Sequence, residues 1–383
     1  MRAAWACQAM GDIAPLIRRP VPVRPDETYR EIGIRSFGRG VFHKTPTTGL
    51  EIGTKRVFSI EPGDLLFNIV FAWEGAVAVA SEPERGTIGS HRFLTCVVNK
   101  DVADARYLFW WFSRGKGREQ LLKASPGGAG RNRTLGVDKL AAIDVPLPPP
   151  EEQQRMIAWI ERVEAKIAEA CRLRNEASEE AEALIVSTHL SLSASSPQQL
   201  STYVALEEEA VPIRLNVPYL QAGVRGFGGG LFSKPPVIGG ATTYRSFNRL
   251  YPGALVMSQV KGWEGAIAVT PHELVGRYVS PEYRTFKCRD GRCLPEYLAT
   301  IVPTKFFWSR LKDATRGVGA RRERTRPEQF LALEMPMPSV PDQQRALATF
   351  DRIRAVQRMQ SETTAELQAI LPAIIDKAFR GEL

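Results

Sequence analysis

The run Gly33-Ile34-Arg35-Ser36-Phe37-Gly38-Arg39-Gly40-Val41-Phe42-His43-Lys44 returns 190 positions later as Gly223-Val224-Arg225-Gly226-Phe227-Gly228-Gly229-Gly230-Leu231-Phe232-Ser233-Lys234. At the same offset Pro62-Gly63-Asp64-Leu65 aligns with Pro252-Gly253-Ala254-Leu255, and Trp73-Glu74-Gly75-Ala76 with Trp263-Glu264-Gly265-Ala266. Between 32–80 and 222–270, 19 of 49 positions are identical, where chance supplies about three. A chain that carries one unit twice builds its architecture from two similar bodies. The register survives to the end of the unit, where Val145-Pro146-Leu147-Pro148 matches Met335-Pro336-Met337-Pro338 and Glu152-Gln153-Gln154-Arg155 matches Asp342-Gln343-Gln344-Arg345.

Each unit has two zones. In the first, apolar runs such as Leu65 to Phe71 and Ala76 to Ala80, bounded by Pro-Gly and Glu-Gly, predict strands joined by turns. Helices are expected near Tyr107 to Lys123 and Pro295 to Lys312. The second zone opens on a proline cluster, Pro146 to Pro150 or Pro336 to Pro341, which ends any upstream helix and suits a helix start. Beyond it, Glu151 to about Thr188 contains no Gly or Pro and is rich in helix formers. Apolar residues there, including Ile157, Ile160, Val163, Ile167 and Leu184, recur at spacings of three and four. Leu347, Phe350, Ile353, Val356, Leu367, Ile370 and Ile374 repeat the pattern. Two narrow stripes of this kind stay wet alone and can bury their seams against each other, so an antiparallel helix pair is expected.

Composition narrows the function classes. The 383 residues are 44% hydrophobic and 24% charged, an ordinary globular mixture. No run approaches the roughly 18 apolar residues of a membrane span, and residues 1–11 lack the pattern of a secretory signal. Five scattered cysteines do not form a disulfide framework and fit a reducing cytoplasm. The formal charge of +9 favours a polyanionic partner such as nucleic acid.

The glycine-rich run with Arg35, Lys44, Arg225 and Lys234 reads either as a loop closing on phosphate oxygens or as a solvated hairpin. A second basic cluster, with Arg131 and Arg133, returns loosely with Arg321, Arg322 and Arg324, and suits close approach to a nucleic-acid backbone. Lys261 is a further candidate for DNA contact. The Trp-Glu-Gly-Ala pair reads as a strand-turn element whose Trp packs in the core. Acid catalysis by Glu74 or Glu264 would need a second positioned group that the sequence does not place. Cys288 and Cys293 have no second ligand pair for zinc. There is no Walker A sequence, no G-x-G-x-x-G after a strand and no Asn-Pro-Pro-aromatic tetrad, so no catalytic, cofactor or metal residues are expected.

Val145-Pro146-Leu147-Pro148-Pro149-Pro150-Glu151-Glu152-Gln153-Gln154-Arg155 leading into a long helix resembles Type I restriction-modification specificity subunits. So do Trp263-Glu264-Gly265-Ala266 followed by Tyr278-Val279-Ser280-Pro281-Glu282-Tyr283, and the ending Ala378-Phe379-Arg380-Gly381-Glu382-Leu383. The resemblance spans essentially the whole chain. It implies a non-catalytic α+β protein with pseudo-twofold symmetry, in which two target-recognition domains each read one half of a split double-stranded DNA site. The corresponding ranges are recognition domain 1–150, central spacer helix and linker 151–195, recognition domain 196–340 and C-terminal spacer helix 341–383. The Ser-rich stretch Ser187 to Ser196 is expected to be the linker. By the same resemblance the helices set the spacing and dock methyltransferase subunits, two in number, with a restriction/translocase subunit completing the complex. Ile157, Ile160, Ile167, Leu347, Phe350 and Ile353 are the expected helix-pair or subunit contacts, and S-adenosylmethionine belongs to the methyltransferase partner. The rival readings are a nuclease or methyltransferase acting alone, and an interaction scaffold without DNA.

Overall fold

A computed structural model describes residues 5–127, 133–193, 196–314 and 324–382. The chain forms two compact units, one containing residues up to Arg172 together with Thr363 onward, the other Leu173–Glu362.

In the first unit, strand Leu65–Asn68 lies between Phe93–Cys96 and Val77–Val79 in an antiparallel sheet. Its apolar run has no polar alternation because both faces are covered. Leu65 and Phe67 enter the main core with Tyr107, Trp110 and Phe112, while Leu66 packs with Ile32, Ile34 and Ala78 on the other side. The second unit repeats this with Leu255–Ser258 between Tyr283–Cys288 and Ile267–Val269, extended by Val204–Leu206. Each unit also carries a short hairpin, Ile32–Ile34 with Val41–His43 and Ala222–Val224 with Leu231–Ser233.

Several expected elements are shorter or broken for local reasons. The strand from Leu65 stops at Asn68, whose side-chain Oδ1 accepts the Val70 N–H and turns the chain. In the second unit the Ser258 hydroxyl accepts the Lys261 N–H in the same way. The helix near Tyr107 to Lys123 is two helices, Ala105–Ser113 and Gly115–Lys123, because Arg114 is extended and Gly115 has φ 55°. Its counterpart divides into Pro295–Ile301 and Lys305–Ala314 around Pro303. The C-terminal helix is likewise interrupted, as Val340–Glu362 and Thr364–Phe379.

The central helix runs from Pro150 to Leu192, about 64 Å at 1.5 Å per residue. It therefore includes serines expected in a linker. The hydroxyls of Ser187, Ser191 and Ser193 donate to the carbonyls of Leu184, Thr188 and His189, so the helix itself satisfies them. His189 is fully buried against Tyr297, whose hydroxyl lies 2.8 Å from its Nδ1. Burial pushes the His189 pKa down to about 4, so this anchor is neutral near neutral pH.

The start of each long helix is tied down by one buried glutamine. Gln153 accepts the Asp104 N–H through Oε1 at 3.0 Å and donates through Nε2 to the carbonyls of Val102 and Pro148, both at 2.9 Å. Gln343 accepts the Leu294 N–H at 2.9 Å and donates to the carbonyls of Arg292 and Pro338 at 3.2 and 2.9 Å. Both side chains are fully buried. In the first unit the beginning of the central helix (Met156, Ile157, Ile160) shares a core with the end of the last helix (Leu371, Ile375, Ala378). In the second, the end of the central helix (Ile185) shares one with the beginning of Val340–Glu362 (Ala346, Phe350). Beginning meets end in both, the order of an antiparallel pair. The apolar stripes are not buried throughout, since Leu184, Val356 and Ile370 are exposed.

Replacing Gln153 or Gln343 with Leu leaves one buried carbonyl and, in a part-buried setting, one amide and a second carbonyl without their partner. At about 1–3 kcal/mol for a buried unsatisfied group, either variant is expected to lose about 1–3 kcal/mol, read as a lower urea midpoint. An unchanged midpoint would contradict the clamp.

Candidate nucleic-acid interface

Two repeated motifs that are far apart in sequence meet in each unit, and the described end of a third lies beside them. The first is the hairpin tip. Gly33 lies directly beneath the Phe42 ring, where a Cβ would come within 2.2 Å of it. The Arg35 guanidinium stacks over that ring at 4.9 Å, and Arg225 stacks over Phe232 at 4.4 Å. The loop closes through Arg35 N–H to the Gly40 carbonyl and Arg225 N–H to the Gly230 carbonyl, both at 2.9 Å. Between them Gly38, Gly40, Gly228 and Gly230 take positive φ, and so do Phe37 and Phe227.

The second motif is the Trp turn, Ala72–Glu74 and Gly262–Glu264, each closed by a left-handed glycine. The hairpin tip docks onto it through backbone bonds. Phe37 N–H donates to the Glu74 carbonyl and Gly38 N–H to the Gly75 carbonyl, both at 2.9 Å. Phe227 and Gly228 do the same with Glu264 and Gly265 at 2.6 and 3.4 Å. The Ser36 hydroxyl donates to Glu74 at 2.8 Å, while Glu264 pairs with Lys261 at 3.5 Å. The tryptophans are not in the core as expected. Ala72 and Gly262 are the residues each turn buries, which leaves Trp73 and Trp263 half-buried.

The third motif is the basic loop. Leu135 N–H donates to the Ile69 carbonyl and Thr325 N–H to the Gln259 carbonyl, both at 2.9 Å, which places these two residues, at the C-terminal ends of the basic clusters, beside the segments that lead into the Trp turns. Arg133 lies 5.8 Å over the Trp73 ring, and Arg324 pairs with Glu282 at 3.2 Å. Arg131, Arg321 and Arg322 lie outside the described residues.

The remaining candidate cations also have partners within the chain. Lys44 pairs with Glu31 at 2.8 Å, and the Lys234 ammonium lies 5.7 Å from the rings of both Phe232 and Tyr283. Pairs as exposed as Lys44–Glu31, Lys261–Glu264 and Arg324–Glu282 are each worth about 0–1 kcal/mol. They can be exchanged for phosphate oxygens at little cost. Behind the first hairpin the half-buried Arg114 donates to the Phe37 carbonyl at 3.4 Å. Burial lowers its pKa, Glu164 opposes this, and the neighbouring Arg118 and Arg39 lower it further. Cations therefore crowd together here, although a guanidinium stays protonated.

Ile157, Ile160 and Phe350 are buried in the unit cores, and Ile167, Leu347 and Ile353 pack partly buried against them. The sequence reading did not bring the hairpin and the Trp turn together. Both motifs keep their identities at the same offset, which signals a shared role but not a contact.

No family model matches the chain, and no curated protein matches it. Solved structures do. One is a chain from a structure concerned with complex assembly and conformational transition of the type I R-M system, with TM-score 0.68 and 21% identity over 100% of this chain and 99% of that one. Another is the HsdS subunit from Thermoanaerobacter tengcongensis, with TM-score 0.52 and 20% identity over 100% and 98%. The Type-I restriction-modification S subunit from M. genitalium aligns at TM-score 0.46 and 11% identity over 99% and 96%. The first two of these likenesses show that the chain has the fold of Type I restriction-modification specificity subunits.

The docking of the two motifs gives the glycines unequal weight. At Gly228 a Cβ would sit 2.2 Å from the Pro303 carbonyl oxygen, whereas at Gly230 it meets nothing within 4 Å, and both have φ near +70°. Gly230→Ala is expected to cost only the left-handed strain of about 1–2 kcal/mol. Gly228→Ala should cost visibly more in thermal denaturation, because the tip must also move. Equal losses would mean that the tip is not seated as described.

Proposed function

We propose that this chain is the DNA-specificity subunit of a Type I restriction-modification complex. The observation that carries the proposal is the duplicated seating of a basic hairpin on a Trp turn, built into two units of a chain with the specificity-subunit fold. Arg35, Lys44, Arg131 and Arg133 contact DNA in one unit, and Arg225, Lys234, Lys261, Arg321, Arg322 and Arg324 in the other. Phosphate contacts position such a protein, and base contacts specify the sequence. The platforms share Arg35/Arg225 and Lys44/Lys234 but differ at Ser36/Gly226, Arg39/Gly229 and Phe71/Lys261. A common means of gripping phosphate with different surroundings suits two different half-sites.

The proposed ranges are recognition domains at 1–150 and 196–340, joined by the spacer segments 151–195 and 341–383. The spacer helices fix the distance between the half-sites. Exposed Leu173, Leu184, Val356 and Ile370 offer apolar surface to two methyltransferase subunits. Those subunits bind S-adenosylmethionine and carry out the chemistry, and a restriction/translocase subunit completes a cytoplasmic complex. This chain performs no catalysis. No helix among the described residues is long and apolar enough to cross a membrane.

Titrating salt against DNA affinity tests the reading. Log affinity should fall linearly with log salt, as counterions are released from each neutralised phosphate. Arg131→Ala with Arg133→Ala, or Arg321→Ala with Arg322→Ala, should weaken binding to all sequences and lower the slope by about one unit for each lost phosphate contact. A wild-type chain that binds no duplex at low salt, alone or with methyltransferase, would overturn the proposal.

A further inference from the structure

Phe37 and Phe227 occupy a place where phenylalanine is an expensive choice. Their φ angles of 64° and 56° lie in the left-handed region, which a residue with a Cβ enters at a cost and glycine enters freely. The loop already has glycine at the next position in both units, so the turn itself does not require an aromatic ring. Core packing does not require it either, since Phe37 is 45% exposed and Phe227 is 70% exposed. The same residue nevertheless stands in the same strained conformation at both hairpin tips. Strain maintained by the surrounding structure at an exposed ring is the pattern of a functional contact.

The supports around the ring suit that contact. Each tip is held by two backbone hydrogen bonds to the Trp turn, so the ring projects from a fixed base. Trp308 meets the Phe227 ring edge-on at 5.9 Å. Exposed Arg35 and Arg39 flank Phe37, and Arg225 flanks Phe227, while the adjacent glycines let the backbone approach closely. An exposed apolar ring two residues from an exposed arginine in both units matches stacked bases beside a line of phosphate better than it matches an apolar protein pocket.

We propose that Phe37 and Phe227 are wedges that enter the duplex between neighbouring base pairs, one in each half of the bound site, partly unstacking the step they enter. The inference rests on the DNA-binding reading above and adds to it the means by which each unit engages the bases.

The test uses the full chain, with its methyltransferase partner, on a duplex that the wild-type protein selects from a random pool. 2-Aminopurine is placed at successive positions of that duplex. Wild-type protein should raise its fluorescence at one step in each half. Phe37→Gly and Phe227→Gly remove the ring and the strain together. Each should abolish the signal in one half only and weaken binding by about ten-fold, the scale of one lost base–aromatic stack. The salt slope should not change, and the melting temperature should be equal or higher, whereas a purely structural role would lower it. Phe→Trp at either position should retain the signal. Unchanged affinity and fluorescence in the glycine variants would overturn the wedge while leaving DNA binding intact. Loss of methyltransferase association with DNA affinity preserved would make the ring a protein contact instead. If the wild-type chain selects no duplex, the DNA reading itself fails, and the wedge fails with it.

Discussion

Gln153 and Gln343 each sit where the irregular end of a sheet-bearing body becomes a long helix. A helix exposed on most of its surface draws little stability from its own backbone and needs tertiary anchoring. The glutamine supplies that anchor with one acceptor and two donors, all used, and all directed at main-chain groups of the turn before the helix and of a neighbouring segment. Main-chain partners fix position more narrowly than an apolar contact, because each bond has a direction. The far ends are held differently. Phe379 packs on Tyr107 and Trp111 in the first unit, and His189 packs on Tyr297 and Phe306 in the second. Each unit therefore combines the clamped beginning of one long helix with the packed end of the other.

The same economy governs the candidate interface. Backbone bonds seat the hairpin on the Trp turn, so the side chains are left to vary between the units. Ser36 engages Glu74 in the first unit, whereas Gly226 leaves Glu264 to pair with Lys261 in the second. One platform can present different surroundings without losing its shape.

Much of this was legible in the amino-acid order. The 190-residue offset announced two bodies, the proline clusters marked both helix starts, and the spacing of Ile157, Ile160 and Phe350 placed them on buried faces. What escaped depends on side chains acting on nearby backbone or on contacts distant in sequence. Asn68 ends a strand whose apolar run continues to Phe71. Serines 187, 191 and 193 look like linker residues until their hydroxyls are seen bonded to the helix behind them. The seating of Phe37 on Glu74 is settled by packing, which local propensity does not encode. The glutamines lay in a motif that drew attention as a pattern, while their role needed the positions of Val102 and Asp104.

The central claim is that one chain reads two unlike sequences at a fixed separation. The most direct measurement is to express the chain with its methyltransferase and restriction partners and map methylated positions across the genomic DNA of those cells. The account predicts a bipartite motif, two different specific half-sequences separated by a spacer of constant length and unspecified bases. A single palindromic motif, or an uninterrupted one, would contradict it.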